Sequence, residues 1–494
     1  MTDVRFETTS TTTADPEKAS TGYAASETGL QHVRATAKEE RRILFKLDRV
    51  ILPLTALLYL SAYLDRGNLG NAKLQGLYAG LLDSSDTKYS VVLCIFYVTY
   101  ISLSIPGTLL AKAILPSYSI ALGALIWSIA ATGMAGAQSF GAVITCRLFV
   151  GIGEALFGQA VTFHYSLWYK KDEISKRLAL FIGAGVLSGA FGGLIAYGTS
   201  QIKSSIANWR ILFLIEGCPS IILAICIFFF LPSRPDKSNY ITEDERTVVH
   251  TRLNADSLGE GHTGIDWNGV KRALTDWKTY VVSIMYSAMN LTLGSVTGFL
   301  PTIIKGLGHT DAAAQLFTVP PYAVAFVTMY LISYFSDRAK SRGPFVAGVF
   351  VISIVGWLIL LLELTDNRVR YFACICIVIG GYNNIPLIMS WQSNNTGSQS
   401  QRAVSLGMLN SVGQCLSILA SFSFPDSEEP RYIKGISLNI AFNALGIFIA
   451  MGMSLYYRLE NARRDRVEGG RPPKGEVMNV VEEHDFARGF RYVV

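Results

Sequence analysis

Residues 48–72 read DRVILPLTALLYLSAYLDRGNLGNA, an apolar run that ends on a carboxylate and a guanidinium side by side, Asp65-Arg66. A helix needs about 20 residues to cross a hydrocarbon core of about 30 Å, so this stretch is long enough to span a bilayer. A charge inside the bilayer costs roughly 2.5 to 3.5 kcal/mol even on lenient insertion scales, so Asp65 and Arg66 are expected to face a cavity and partners.

The remainder of the chain has the same character. Its 494 residues are 50% hydrophobic and only 16% charged, too apolar for a soluble protein of this length. Twelve apolar windows of spanning length follow one another, near 48–72, 89–111, 117–137, 140–165, 177–200, 209–231, 279–303, 315–336, 344–363, 370–392, 402–424 and 436–458. The expected fold class is an all-α membrane protein with twelve transmembrane helices in two six-helix bundles. Lysines and arginines are dense before the first window, after the fourth (Lys170, Lys171, Lys176, Arg177), after the eighth (Arg338, Lys340, Arg342) and after the twelfth (Arg463, Arg464, Arg466). They are sparse in the alternate loops, which places both termini in the cytoplasm.

This distribution also explains the formal charge of +6 without nucleic acid, since the basic residues sit in short clusters between apolar runs. The first 45 residues, rich in Thr, Ser and Ala, are expected to form a disordered cytoplasmic tail. They contain no apolar signal-peptide core, so the first span is its own signal anchor. The one long connection, 233–278, divides the chain into bundles 46–232 and 279–460, with 461–494 as a C-terminal tail. Thr242-Glu243-Asp244-Glu245 reads as a capping box opening a short helix in that connection, and Gly259 to Gly264 as flexible loop. The seven cysteines all lie in apolar runs and are expected to pack as small apolar groups, with no metal or cofactor site implied.

Depth counting gives Asp65-Arg66 partners. At 1.5 Å per residue the pair lies about 25 Å along the first helix. The fourth helix runs the other way and carries Arg147 about 10 Å below its start at Phe140, with Glu154 about 10 Å further. Seven residues is close to two turns, so Arg147 and Glu154 share a face. Two cations and two acids therefore meet in the first bundle, either as a static network between helices or as a site that binds an anion and protons.

At these residues the chain resembles a known family. Asp65-Arg66-Gly67-Asn68-Leu69-Gly70-Asn71-Ala72 and Arg147-Leu148-Phe149-Val150-Gly151-Ile152-Gly153-Glu154-Ala155 resemble the anion:cation symporter family of the major facilitator superfamily. Trp168-Tyr169, Ala190-Phe191-Gly192-Gly193, Trp209-Arg210, Leu212-Phe213, Glu216-Gly217 and Leu231-Pro232 point to its fungal allantoate permease-like branch. The resemblance implies proton-coupled uptake of a small organic anion, such as a vitamin, a ureido acid or an amino-acid-like compound. It assigns Asp65 and Glu154 to proton coupling, and Arg66 and Arg147 to holding the substrate anion or tuning the acids. The chain departs from the family at Gln159, where a Pro is frequent, and in the loop after the second span, where only Lys112 and Pro116-Ser117 remain of a basic motif. The corresponding motif after the eighth span is kept as Asp337-Arg338 with Arg342, expected to gate or orient.

Asn68 and Gln159 complete the polar residues expected at the substrate in the first bundle. The second offers amides and aromatics, Asn290, Tyr382, Asn383, Asn384, Trp391, Asn410 and Gln414, able to read the non-ionic part of a substrate or to bond helix to helix. Asn383-Asn384 is preferred among them because Pro386 frees a backbone carbonyl nearby. His164 is expected to be packed, and Glu216 to pair locally, with Arg210 as one candidate partner. A monomer in the plasma membrane is expected, with the small anion, protons and the lipid bilayer as its partners. An exchanger or facilitator without proton coupling, and a transporter-like nutrient sensor, remain alternatives. An enzyme is disfavoured because no nucleophile and base pair, metal-ligand cluster or phosphate loop stands out.

Overall fold

The computed structural model describes residues 37–238, 240–256, 266–362, 366–429, 431–470 and 483–494. The expected tail up to residue 36 and the Gly259–Gly264 loop lie outside them. The first half comprises α1 (Ala37–Ala72), α2 (Tyr78–Leu81), α3 (Asp86–Ala113), α4 (Pro116–Gly133), α5 (Phe140–Ser166), α6 (Lys171–Ser200) and α7 (Asn208–Phe230). Two connecting helices follow, α8 (Glu243–Asp256) and α9 (Trp267–Thr275). The second half comprises α10 (Trp277–Lys305), α11 (Asp311–Leu316), α12 (Val319–Ala339), α13 (Gly343–Leu361), α14 (Asn367–Asn394), α15 (Gln399–Gly413), α16 (Cys415–Ala420) and α17 (Ile433–Glu468).

Side-chain caps begin many of these helices. Ser139 accepts from the Ala142 N–H before α5, Asp366 from Arg368 before α14, and Ser398 from Gln401 before α15, supplying acceptors for N–H groups that a helix start leaves open. Prolines in the first turn of α4, α12 and α13 use the same vacancy.

Among the described residues, ten helical spans are long and apolar enough to cross a membrane. α1 and α10 are long enough, at 36 and 29 residues, but are not among the ten. Both trade apolar side chains for polar ones where they face the interior, Asp65, Arg66 and Asn68 on α1, Ser283, Ser287, Asn290 and Thr292 on α10. Several boundaries differ from expectation. α1 begins at Ala37, inside the stretch read as tail, because Glu39 and Glu40 suit a first turn. It leaves its helical path at a π turn, Lys73–Leu77, where Gly76 takes φ +98°, open to glycine without the steric penalty of a Cβ. The eleventh window divides into α15 and α16 at Gln414, and the eighth into α11 and α12.

Glycines set how the first half packs. A Cβ at Gly153 would lie 2.5 Å from the Gly123 carbonyl on α4, and one at Gly151 would lie 2.6 Å from the Phe96 carbonyl on α3. α5 therefore wedges backbone to backbone between α3 and α4, carrying Glu154 in with it. α1 packs on α6 and α7, and α4 on α7; in the second half α13 packs on α14 and α17, and α10 on α14, α15, α16 and α17. The halves meet along α6–α12, α3–α15 and α1–α10.

The two faces of the molecule differ. On the face away from Ala37 and Val494, hereafter distal, the halves are bonded to each other. Lys73 pairs with Asp426 at 2.7 Å, the Tyr89 hydroxyl donates to the Gly298 carbonyl at 2.9 Å, and Gln315 donates to the Asn71 carbonyl at 3.2 Å. On the face carrying both described ends, hereafter terminal, each half binds its own accessory segment. The Thr242–Glu245 capping box forms as expected, and α8 is held to the first half by Lys46–Glu245 at 2.7 Å and by Arg252 donating to the Trp168 carbonyl at 2.8 Å. The second half is clasped by residues 483–494. There Asp485, fully buried, meets Arg272 at 2.8 Å and Lys278 at 2.5 Å, and the Arg342 N–H donates to Val494 at 2.5 Å. Burial alone would push the Asp485 carboxyl up, but its hydrogen bonds and ion pairs with Arg272 and Lys278 outweigh that and hold it below the ordinary carboxylate range.

Candidate functional site

α1 presents Tyr59, Tyr63 and Arg66 at a spacing of four and three, one face of a helix. Arg66 is buried and donates to Glu154 in a direct ion pair. Its guanidinium lies over the rings of Tyr63 (4.7 Å), Phe96 (4.7 Å) and Tyr100 (5.4 Å). A planar cation among aromatic faces keeps part of its electrostatic stabilisation where water is scarce. Arg147, also fully buried, donates to the Asp65 carbonyl at 3.4 Å and stands 5.6 Å from the Phe96 ring centre. The expected two-cation, two-acid cluster is therefore assembled, with Arg66 bound to Glu154 and Arg147 tied to the Asp65 backbone.

Asp65 is held by neutral donors. One carboxylate oxygen accepts from the Trp127 indole on α4 and the Ser220 hydroxyl on α7, each at 3.2 Å, and the other has no hydrogen-bond partner. One oxygen of Glu154, the Nε of both arginines and both amide atoms of Asn68 also lack partners. Buried polar atoms are ordinarily satisfied, and a concentration of orphans marks a place built for a ligand or a change of state.

A cavity opens against this cluster. It is lined by Tyr63, Arg66, Tyr100 and Glu154 from the first half, and by Tyr286, Asn410 and Gln414 from the second. Leu178, Thr162 and Met389 extend its wall toward the terminal face, whereas the distal side is closed by the bonds across Lys73, Tyr89 and Gln315. A guanidinium, a carboxylate and a ring of tyrosines facing one space can hold a small anion and exchange a proton.

The second-half candidates separate clearly. Asn410 and Gln414 line the cavity. Asn383 does not; its amide meets the Thr328 hydroxyl on α12 at 2.8 Å, an interhelical bond. Asn290 turns back on the Tyr286 carbonyl at 3.1 Å, and Tyr382 packs edge-on against Tyr322 with ring centres 5.6 Å apart. Asn384 is fully buried and unpartnered but is not part of the cavity wall. These four do not line the cavity in the conformation described: Asn383 bonds α12, Tyr382 packs on Tyr322, Asn290 folds back on its own helix, and Asn384 is buried away from the cavity wall. Trp391 donates to the Val493 carbonyl at 2.8 Å and so belongs to the tail clasp. The Gln159 side chain lies outside the described part. Asp337 and Arg342 form an ion pair, and Arg338 beside them is exposed. His164 is packed as expected, its Nε2 2.6 Å from the Pro232 carbonyl.

Glu216 departs from expectation most. Arg210 instead donates to the Ala135 carbonyl at 2.6 Å, and neither oxygen of Glu216 has a partner. The tyrosine ring is a further feature that sequence reasoning misses. The spacing of Tyr59, Tyr63 and Arg66 carries that signal, whereas Tyr100 and Tyr286 come from distant helices.

Comparison with known proteins agrees with this architecture. The profile described as Major Facilitator Superfamily matches residues 55–421. An MFS-type transporter of Hormonema carpetanum is 32% identical over 462 residues, covering 93% of this chain and 94% of that protein. The high-affinity nicotinic acid transporter of Saccharomyces cerevisiae is 30% identical over 428 residues, covering 87% and 80%. In fold, the chain is similar to a D-xylose-proton symporter, with a TM-score of 0.62 at 15% identity over 83% of this chain and 97% of that one. It is also similar to a bacterial homologue of the lysosomal transporter Spinster in an inward-facing, unoccupied conformation, with a TM-score of 0.62 at 14% identity over 84% and 96%.

Proposed function

The chain belongs to the major facilitator superfamily and is a secondary transporter, and from that premise we propose that it takes up a small organic carboxylate together with protons. The observation that carries the reading is the buried Arg66–Glu154 ion pair facing a cavity that is closed distally. A substrate carboxylate arriving at Arg66 competes with Glu154 for the same guanidinium. The displaced Glu154 is then a buried carboxylate without a partner, a costly state that binding a proton relieves. Anion binding and proton binding thus assist one another, and linkage makes the assistance reciprocal.

The tyrosines around the cavity favour a compact, largely planar carboxylate, and the yeast relative named for nicotinic acid is consistent with such a cargo. Asn410 and Gln414 are the second-half groups placed to read its polar atoms. With the positive-inside pattern, the terminal face is cytoplasmic, the conformation described is inward-facing, and the protein works as a monomer in the plasma membrane. The direct Arg66–Glu154 contact also suits a second reading, exchange of anions with the acid only holding the arginine.

Uptake of radiolabelled carboxylates, vitamins and ureido acids in a host lacking its own permeases, with and without an inward proton gradient, tests both. Accumulation above equilibrium only under the gradient is expected, and its loss in Asp65→Asn. Uptake indifferent to the gradient, or full accumulation by Asp65→Asn, would overturn proton coupling at this site.

A further inference from the structure

The first half buries a third carboxylate that the charge pairing above does not use. Glu216 on α7 is 3% exposed, and both its oxygens are unpartnered. It is adjacent to Asn68 of α1, and Ser220, one turn further on α7, links it to Asp65 by donating to the Asp65 carboxylate at 3.2 Å while bonding the Glu216 carbonyl at 3.1 Å. Among the described residues no cation answers it. Arg66 is bound to Glu154, Arg147 to the Asp65 carbonyl, Arg210 to the Ala135 carbonyl, and Lys73 to Asp426.

The described residues of the other helices packed on α7 offer no further charge at this depth. Ionisable groups of α4 amount to the exposed Tyr118, and α6 from 178 to 200 carries only Tyr197, also exposed. α4 contributes the neutral Trp127 and Thr132, the latter against Gly217. Three buried carboxyl groups, Asp65, Glu154 and Glu216, thus stand against two guanidinium groups, and a carboxylate partner is found only for Arg66. An ionised carboxylate buried without a partner is strongly disfavoured, so one of the three is required to carry a proton.

Asn68 indicates which pair holds it. Three residues after Asp65, it lies on the same face of α1, fully buried beside the Glu216 carboxyl, with no hydrogen bond of ordinary geometry at either its amide N–H or its carbonyl. An amide offers one donor side and one acceptor side. Placed beside two carboxyl groups, it is satisfied when one is ionised and accepts its N–H, and the other is protonated and donates to its carbonyl. We propose that Asp65, Asn68 and Glu216 form a proton-binding site holding a single shared proton, and that Glu216 is the carboxyl that keeps it when Asp65 is ionised. Transfer breaks one O–H bond at the Glu216 carboxylic acid and forms one at the Asp65 carboxylate, while the Asn68 amide turns over to exchange its donor and acceptor sides, and the net charge of the pair stays constant. Substrate at Arg66 acts on Glu154; this site is separate from that contact and supplies a second proton-binding place in the cycle.

The proposal rests on the proton-coupled reading, and the experiment distinguishes the two. Gradient-driven accumulation and gradient-free counterflow are measured for wild type, Glu216→Gln and Glu216→Asp, with protons moved per anion read from the accumulation ratio at fixed pH difference. Glu216→Gln keeps the shape but cannot release a proton, and is expected to lose accumulation at least about tenfold, and to move fewer protons per anion, while counterflow continues. Glu216→Asp is expected to retain accumulation. Wild-type accumulation, stoichiometry and pH profile in Glu216→Gln would overturn the proposal and leave proton coupling standing. A wild type that exchanges but never accumulates under the gradient would overturn both. Should Glu216→Gln lose counterflow as well, Glu216→Asp decides: retained accumulation supports the shared proton, and its loss overturns it.

Discussion

The two halves of the molecule bury polar side chains in opposite ways. In the first, Asp65, Glu154, Glu216, Asn68 and both arginines keep polar atoms without partners. In the second, α10 and α17 are joined by a ladder that satisfies nearly every member. Thr292 donates to Asn439 at 3.1 Å, Asn443 to Thr292 at 2.8 Å, and Asn439 to Ser295 at 3.1 Å. Satisfied networks hold helices in one arrangement, whereas unsatisfied charges gain most from a visiting ion or proton. The second half is thus the more rigid wall and the first the chemically responsive one. The division is one of charge rather than of satisfaction throughout: the second half also keeps unpartnered polar atoms, among them both amide atoms of Asn384 and one each on Asn290, Ser411 and Asn443, but these four residues are neutral.

The division can be broken first at Arg66. Arg66→Lys retains the charge but loses the planar fork, leaving Glu154 imperfectly paired. Because disrupting a buried pair costs about 3–5 kcal/mol, uptake is expected to fall by about two orders of magnitude or more, measured as initial rate per molecule at the membrane. A near-normal rate in Arg66→Lys would mean that the cluster is merely structural.

The next effect concerns the distal closure, where the halves meet. Lys73→Ala removes the pair with Asp426 and is expected to shift the population toward a distally open state by about five- to thirtyfold, equivalent to about 1–2 kcal/mol. The readout is labelling of a cysteine placed at Leu93, in a background without the seven native cysteines, by an impermeant thiol reagent added distally. Exchanging the charges, Lys73→Asp with Asp426→Lys, is expected to restore closure. Equal labelling in all variants would show that the ion pair does not hold the halves together.

The smallest effect on transport is expected at the ladder. Asn439→Ala removes the acceptor of the Thr292 hydroxyl and the donor to Ser295, and is expected to lower stability by about 1–3 kcal/mol, seen as a lower melting temperature in detergent, with an unchanged pH profile of uptake per folded molecule. A shifted pH profile would move the ladder from scaffold to proton chemistry.

Much of this is legible in residue order. The apolar windows, the Asp65-Arg66 anomaly and the seven-residue spacing of Arg147 and Glu154 place four charges at compatible depth, and the structure assembles them. Gly151 and Gly153 are visible as residues, but their service as crossing points is not, because a glycine states only that something approaches closely. Glu216 is misread from sequence because Arg210 lies nearly two turns away on the same helix, where local spacing suggests a pair. A carbonyl on the neighbouring Met134–Gly136 turn, unknowable from that spacing, takes the arginine instead. That Asn383 and Asn384 stand off the cavity wall is hidden for a related reason: which residues of a helix meet a cavity depends on the rotation of α14 against its neighbours.

Sequence alone determined that this chain is a helical membrane protein whose first half carries buried charge, and its motifs carried the resemblance that the family match then showed. Apolar length and the cost of a charge in lipid act locally along the chain. Tertiary structure decided which charge finds which partner, which amides face the cavity, and that Glu216 is left with Asn68 and Asp65. Those outcomes depend on helix rotation and on contacts between residues tens to hundreds of positions apart, quantities that no local pattern encodes.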